Sequence, residues 1–258
     1  MRKMSVYPKV ITDMFWMQLF WAFGFLGVTF MIHLIKMVIG VNNGSEVNSY
    51  FDSVFIPANI FMLVIGIISV YGFLKYYVSN GVTRKDYFTG AAIAAVGLSI
   101  ALPVIASVVT AIELFVVKLM DLVVFTRGNI NQADLDNNLI AEIVQSIIFS
   151  PFVDLESNFI LAILTFSLNV FTYYLIGWLI GAGFYRFSVL VGLGCILLSL
   201  AILSIQDSLL RSGLDLPGIA FYTIPELPLF IAILVLFIIF AIMLWMIRQF
   251  TKRVTVKL

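Results

Sequence analysis

Six long apolar stretches organise this sequence, at roughly 15–39, 54–74, 89–110, 159–181, 188–205 and 227–247, with polar or turn-rich segments between them. A helix crosses the hydrocarbon core of a bilayer with about 20 predominantly apolar residues. A membrane β-barrel would instead show alternating polarity over segments of about ten residues. The runs here are continuous and far longer than that. The pattern therefore predicts an all-α membrane protein, a single transmembrane domain over 1–258 with six transmembrane helices. The first run begins near Met14 and continues past Val38, too long for a signal-peptide core, and the polar stretch Asn42-Asn43-Gly44-Ser45 follows it instead of a small-residue cleavage site. It is expected to be a retained helix.

The longest piece outside these runs, 111–158, is patterned rather than uniformly polar. In 111–125 the charged residues Glu113, Lys118 and Asp121 fall within about 140° of one another at 100° per residue. In 139–149, Glu142, Gln145 and Ser146 again fall at helical spacing. Both segments are expected to be amphipathic helices at the membrane interface, with their charges toward water. A third spanning helix that projects beyond the membrane accounts for 111–125 equally well. The segment 206–228 contains Pro217, Pro225 and Pro228, and an irregular loop is expected there.

Charge then sets an orientation. With the N-terminus inside, 11 of the 15 basic residues (Arg2, Lys3, Lys9, Lys75, Arg84, Lys85, Arg186, Arg248, Lys252, Arg253 and Lys257) lie in inner segments, with only Asp13 and Asp86 of the 14 acidic ones. The positive-inside bias predicts cytoplasmic termini for a multi-pass membrane protein. The net charge of +1 gives no reason to expect a nucleic-acid partner. With 62% hydrophobic and 11% charged residues, lipid is the expected surrounding.

Catalysis finds little support. The single histidine, His33, rules out paired-histidine zinc motifs, and no Gly-Lys dipeptide is present for a phosphate-binding loop. His33 and Lys36, one turn apart near the outer end of the first helix, are expected to snorkel to the headgroups. The only cysteine, Cys195, reads as a small packing residue. On the fourth helix Thr165, Asn169, Thr172 and Tyr173 share one face. Interhelical hydrogen bonding explains such a face, and the functional alternative is a polar lining for a substrate path. Gly177 with Gly181, and Gly90 with Ala94, are small pairs four residues apart that permit close helix contact.

The first inner loop carries the most specific pattern, Asn80-Gly81-Val82-Thr83-Arg84-Lys85-Asp86-Tyr87-Phe88. Gly81 allows a turn, Thr83 and Asp86 make a capping box, and Val82 and Tyr87 occupy the flanking staple positions. One reading is a basic loop that starts the third helix. The other is a short helix docking on a cytoplasmic partner through Tyr87 and Phe88, with Arg84 and Lys85 as a charged rim.

This segment, between the second and third helices, resembles the first inner loop of bacterial type-2 ABC-exporter permeases, where Asn-Gly, an aliphatic residue, Ser or Thr, Arg, a polar pair and an aromatic recur. Six helices, inner termini and an amphipathic segment before the first helix also fit that family, and Val6, Tyr7, Val10 and Ile11 are placed to form the last. The family often elaborates its last outer loop, whereas here the second is longest. The resemblance implies a permease subunit in a bacterial plasma membrane, working as a homodimer or with a similar permease. It also implies separate cytoplasmic ATPase subunits that hold ATP and Mg, so that this chain carries no cofactor. Asn80 to Phe88 would be the coupling residues. The apolar spans suggest an amphipathic peptide, antibiotic or lipid as cargo. The competing expectations are a secondary transporter or channel, and a membrane sensor or scaffold.

Overall fold

The computed structural model describes residues 6–43, 48–119, 153, 155, 158–216 and 227–252. Among the described residues, six helices are long and apolar enough to cross a membrane. They are α1 (Tyr7–Asn43), α2 (Tyr50–Ser79), α3 (Arg84–Leu119), α4 (Phe159–Arg186), α5 (Val189–Gly213) and α6 (Leu229–Thr251). No strand occurs among the described residues. The protein is an all-α, multi-pass membrane architecture.

Successive helices run in opposite directions, and hydrogen bonds fix which ends meet. At one end the Arg248 guanidinium donates to the Arg84 carbonyl at 3.0 Å, Arg186 donates to the Phe250 carbonyl at 3.0 Å, and the Tyr77 hydroxyl donates to Asp13 at 2.5 Å. Lys9, Lys75, Lys85 and Lys252 cluster here too, so we term this the basic end. At the far end the first turn of α2 meets α3, and Gly213 of α5 lies against Leu229 of α6.

Helix α4 is the axle of the bundle. Every residue from Thr165 to Leu179 is buried, as expected of a helix that is apolar all round. It packs on α2, α3, α5 and α6, while α1 lies outside against α2 and α3. In lipid, close packing and hydrogen bonds, rather than apolar burial, hold helices together. A Cβ added at Gly177 would stand 2.0 Å from the Leu63 carbonyl oxygen, and one at Gly66 would stand 2.2 Å from that of Tyr174. Only glycine lets α2 and α4 touch backbone to backbone. Gly90 likewise admits Val10 of α1, whose Cγ1 would be 2.6 Å from an added Cβ. Both small pairs read from the sequence therefore sit at helix contacts.

A turn of π-helix, Ser69–Leu74, interrupts α2. The wider turn begins where Ser69 joins a buried chain of bonds. Gln18 of α1 donates to the Tyr174 hydroxyl at 3.2 Å, Tyr174 donates to Ser69 Oγ at 2.7 Å, and Ser69 donates to the Ile65 carbonyl at 3.0 Å. A chain of side chains from α1 and α4 thus ends on one serine of α2, and Tyr87 of α3 adds a bond to its carbonyl.

The observed helices outrun the predicted spans. α1 and α3 have 37 and 36 residues, about 55 Å each at 1.5 Å per residue, against a hydrocarbon core of about 30 Å. Three expectations change as a result. Among the described residues, Tyr7, Val10 and Ile11 belong to α1, which is continuous from Tyr7, and form no separate helix before it. The part of 111–125 within the described residues, 111–119, is about the last two and a half turns of α3, so the longer third helix read as the equal alternative is the one observed, not a separate interfacial helix. Residues 206–213, expected in a loop, complete α5. Hydropathy marks the lipid-crossing part of each helix, whereas the ends are set by caps and tertiary bonds. The segment 139–149 lies outside the described residues.

Candidate functional site

The loop between α2 and α3 turns at Gly81, whose φ of +83° lies in the left-handed region open to glycine. Asn80 closes the preceding helix by donating its side-chain amide to the Tyr76 carbonyl at 2.8 Å. Thr83 Oγ1 accepts the Asp86 N–H at 3.1 Å and donates to the Asp86 carboxylate at 2.9 Å. These bonds start α3 itself. The capping signal therefore opens the third span, and no separate docking helix forms.

The aromatic pair after it does not project. Tyr87 is fully buried, and its hydroxyl donates to the Ser69 carbonyl. Phe88 is half-buried with its ring 5.4 Å from that of Trp178 on α4, and the Arg248 guanidinium lies 5.3 Å from its centroid. Tyr87 cannot serve as a surface anchor in this state. Gly81, Thr83 and Lys85 are exposed in the loop, with Lys75, Tyr76, Ser79 and Asn80 beside them; Val82, Arg84 and Asp86 are half-buried. The nine residues thus divide into an exposed turn and an aromatic root wedged among α2, α4 and α6.

All four residues of the proposed polar path are buried: Thr165, Asn169, Thr172 and Tyr173. Asn169 Oδ1 accepts from Gln206 Nε2 of α5 at 2.8 Å, an interhelical bond of the kind that binds helices in lipid. Thr172 turns back to its own helix, donating to the Leu168 carbonyl at 2.8 Å. Cys195 is buried against Gly183, whose added Cβ would lie 2.7 Å from its sulfur.

Two charged clusters near the far end were not anticipated. His33, 2% exposed, does not snorkel. Its Nε2 is 2.5 Å from Glu113 Oε1 on α3, and its Nδ1 is 3.1 Å from Ser53 Oγ on α2. The other Glu113 oxygen accepts the Tyr50 N–H at 3.0 Å, and Thr110 Oγ1 accepts the Phe51 N–H at 2.9 Å. Two first-turn amides of α2 are thus capped from α3, and the carboxylate sits where the helix dipole favours negative charge. Glu113 faces the core for this reason, against the expectation that it meets water. In the second cluster, Arg211 Nε donates to both oxygens of Asp207 at 2.8 and 3.0 Å, each residue 1% exposed. A carboxylate one turn before an arginine was legible as a helix-face pair. Glu113 also had a signal, since it continues the buried stripe of Ala106, Thr110 and Val117 at helical spacing.

These features define a helical membrane protein with a structured basic loop at one end and buried charge pairs toward the other. No family model matches the chain, and no curated protein or solved structure matches it.

Proposed function

We propose that this chain is the transmembrane permease subunit of an ATP-driven exporter. In this reading it works as a dimer with a second copy or a similar permease, in a bacterial plasma membrane. Separate ATPase subunits, which hold ATP and Mg, dock at the basic end, which faces the cytoplasm. This chain performs no chemistry; it couples and lines a path.

The observation that carries the reading is the two-part build of the Asn80–Phe88 segment. Its exposed turn offers Lys85 and Thr83, with Tyr76 and Lys75 alongside, to a partner. Its root is bonded to the π-turn of α2 through Tyr87, packed at a tilt against Trp178 of α4 through Phe88, and held to α6 by the Arg248 bond to the Arg84 carbonyl. A push on the turn would reach three helices at once, which a coupling element requires. Burial moves the expected contact from Tyr87 and Phe88 to the residues of the turn, and makes the two aromatics transmitters. The role of Thr165, Asn169, Thr172 and Tyr173 in this reading is a path closed in the present state, and the apolar spans favour an amphipathic peptide, antibiotic or lipid as cargo.

The test is whether a nucleotide-hydrolysing subunit co-purifies with this chain from its native membrane, together with ATP hydrolysis of the complex. Lys85→Glu with Tyr76→Ala should weaken association while membrane insertion is unchanged. Phe88→Ala should leave association in place and lower coupled hydrolysis. Wild-type association and hydrolysis in both variants would sink the reading. A secondary transporter is the second reading, favoured by the ionisable pair His33–Glu113 within spanning helices; transport by this chain alone, without nucleotide, would select it.

A further inference from the structure

We propose that His33, Glu113 and the first turn of α2 form a releasable clasp that holds the far end of the bundle shut. The inference rests on the transport reading, since a clasp that opens has a purpose only if this end must open.

One carboxylate performs two jobs. Glu113 Oε1 meets His33 on the peripheral helix α1, and Oε2 receives the Tyr50 N–H of α2. Ser53 of α2 meets the other His33 nitrogen, and the Tyr50 hydroxyl returns to α1 by donating to the Leu26 carbonyl at 2.9 Å. Three helices are closed into a ring of directional bonds. The charged groups near it on these helices are Asp52, in the first turn of α2, and Lys36 and Lys118, both exposed.

Stability alone does not account for this arrangement. Apolar residues of similar volume usually hold helices at least as well as a buried ionic pair. The pair has a property that apolar packing lacks: each of its groups is satisfied equally by water. The ring lies beside the capped start of α2, where a span ends, so separation of α1 would let water replace its bonds. Elsewhere along α1 the contacts with its neighbours include apolar rings, such as Phe25 with Phe61 at 4.6 Å. The clasp is therefore a part of the α1 seam whose bonds water can replace, beside the end of a span.

The experiment uses the full chain in lipid nanodiscs. A thiol introduced by Val54→Cys, at a fully buried position beside the clasp, reports opening; the native Cys195, buried on α5 away from it, reports general loosening. Maleimide labelling of each is read by peptide mass spectrometry, with amide exchange at Tyr50 and Phe51. Glu113→Ala should raise labelling at position 54 tenfold or more, leave Cys195 unchanged, and speed Tyr50 exchange by a similar factor. The double variant H33L/E113Q keeps an acceptor for Tyr50 but removes the histidine bridge. It should raise labelling at 54 while Tyr50 exchange stays slow, and it decides the matter if Glu113→Ala fails to fold. Unchanged labelling at 54, or a parallel rise at Cys195, overturns the clasp. None of these readouts involves an ATPase, so their failure and the failure of the exporter reading are separable.

Discussion

At the basic end, arginines reach backbone carbonyls: Arg248 bonds Arg84, and Arg186 bonds Gln249 and Phe250. Toward the far end, charges face inward and pair with one another, as in Asp207–Arg211 and His33–Glu113. The first kind of bond can be exchanged for water at small cost, because the cation is already partly solvated. The second cannot be half-broken cheaply, because the remaining partner becomes a buried, unpaired charge. Under the exporter reading, the basic end would serve as an adaptable surface and the far end as an all-or-none closure. A machine driven from one end would have this asymmetry, with graded contact where force enters and a discrete release where the path opens.

The largest stability effect should come from breaking the most buried pair. Arg211→Ala removes the guanidinium from buried Asp207, and a loss of about 3–5 kcal/mol is expected, read as a fall in the thermal midpoint of the detergent-solubilised protein. A drop no larger than that of a surface substitution would erase the contrast between the ends. Glu113→Ala comes next, since it orphans the Tyr50 N–H and His33 Nε2, at about 1–3 kcal/mol for each buried donor; Glu113→Gln, which keeps an acceptor, should cost markedly less in the same melt. At the basic end, Tyr87→Phe removes one neutral hydroxyl bond to Ser69, and about 1 kcal/mol should be lost. Its amide-exchange signature should be confined to the π-turn of α2. The smallest stability change should follow Lys85→Glu, within about 0.5 kcal/mol for an exposed site. Under the exporter reading the same change should produce the greatest loss of ATPase association. Stability and association would then rank these sites in opposite orders, and a shared order would refute the division of labour.

Hydropathy alone identified six spans because lipid imposes one rule on every residue that crosses it: the backbone bonds internally and the side chains are apolar. That rule is local, so it can be read residue by residue. The Thr83–Asp86 cap and the glycine turn before it were legible for the same reason, as bonds between near neighbours in the chain. The close-packing role of Gly177 could be named in advance, but not that Leu63 and Gly66 receive it, because the partner helix is more than a hundred residues away.

What the sequence could not determine was the fate of polar groups near the helix ends. His33 looked like a snorkelling residue and Glu113 like a water-facing one, since each, beside its own neighbours, is a charge near an interface. Only the folding of α1, α2 and α3 against one another put a carboxylate, an imidazole and a helix N-terminus within bonding distance. Likewise Tyr87 read as an exposed knob until the π-turn placed the Ser69 carbonyl above it. The sequence determined which segments enter the membrane, through a solvation rule that acts on each residue separately. The tertiary structure decided which polar groups are buried, because a buried polar group is tolerated only where a distant part of the chain supplies its partner.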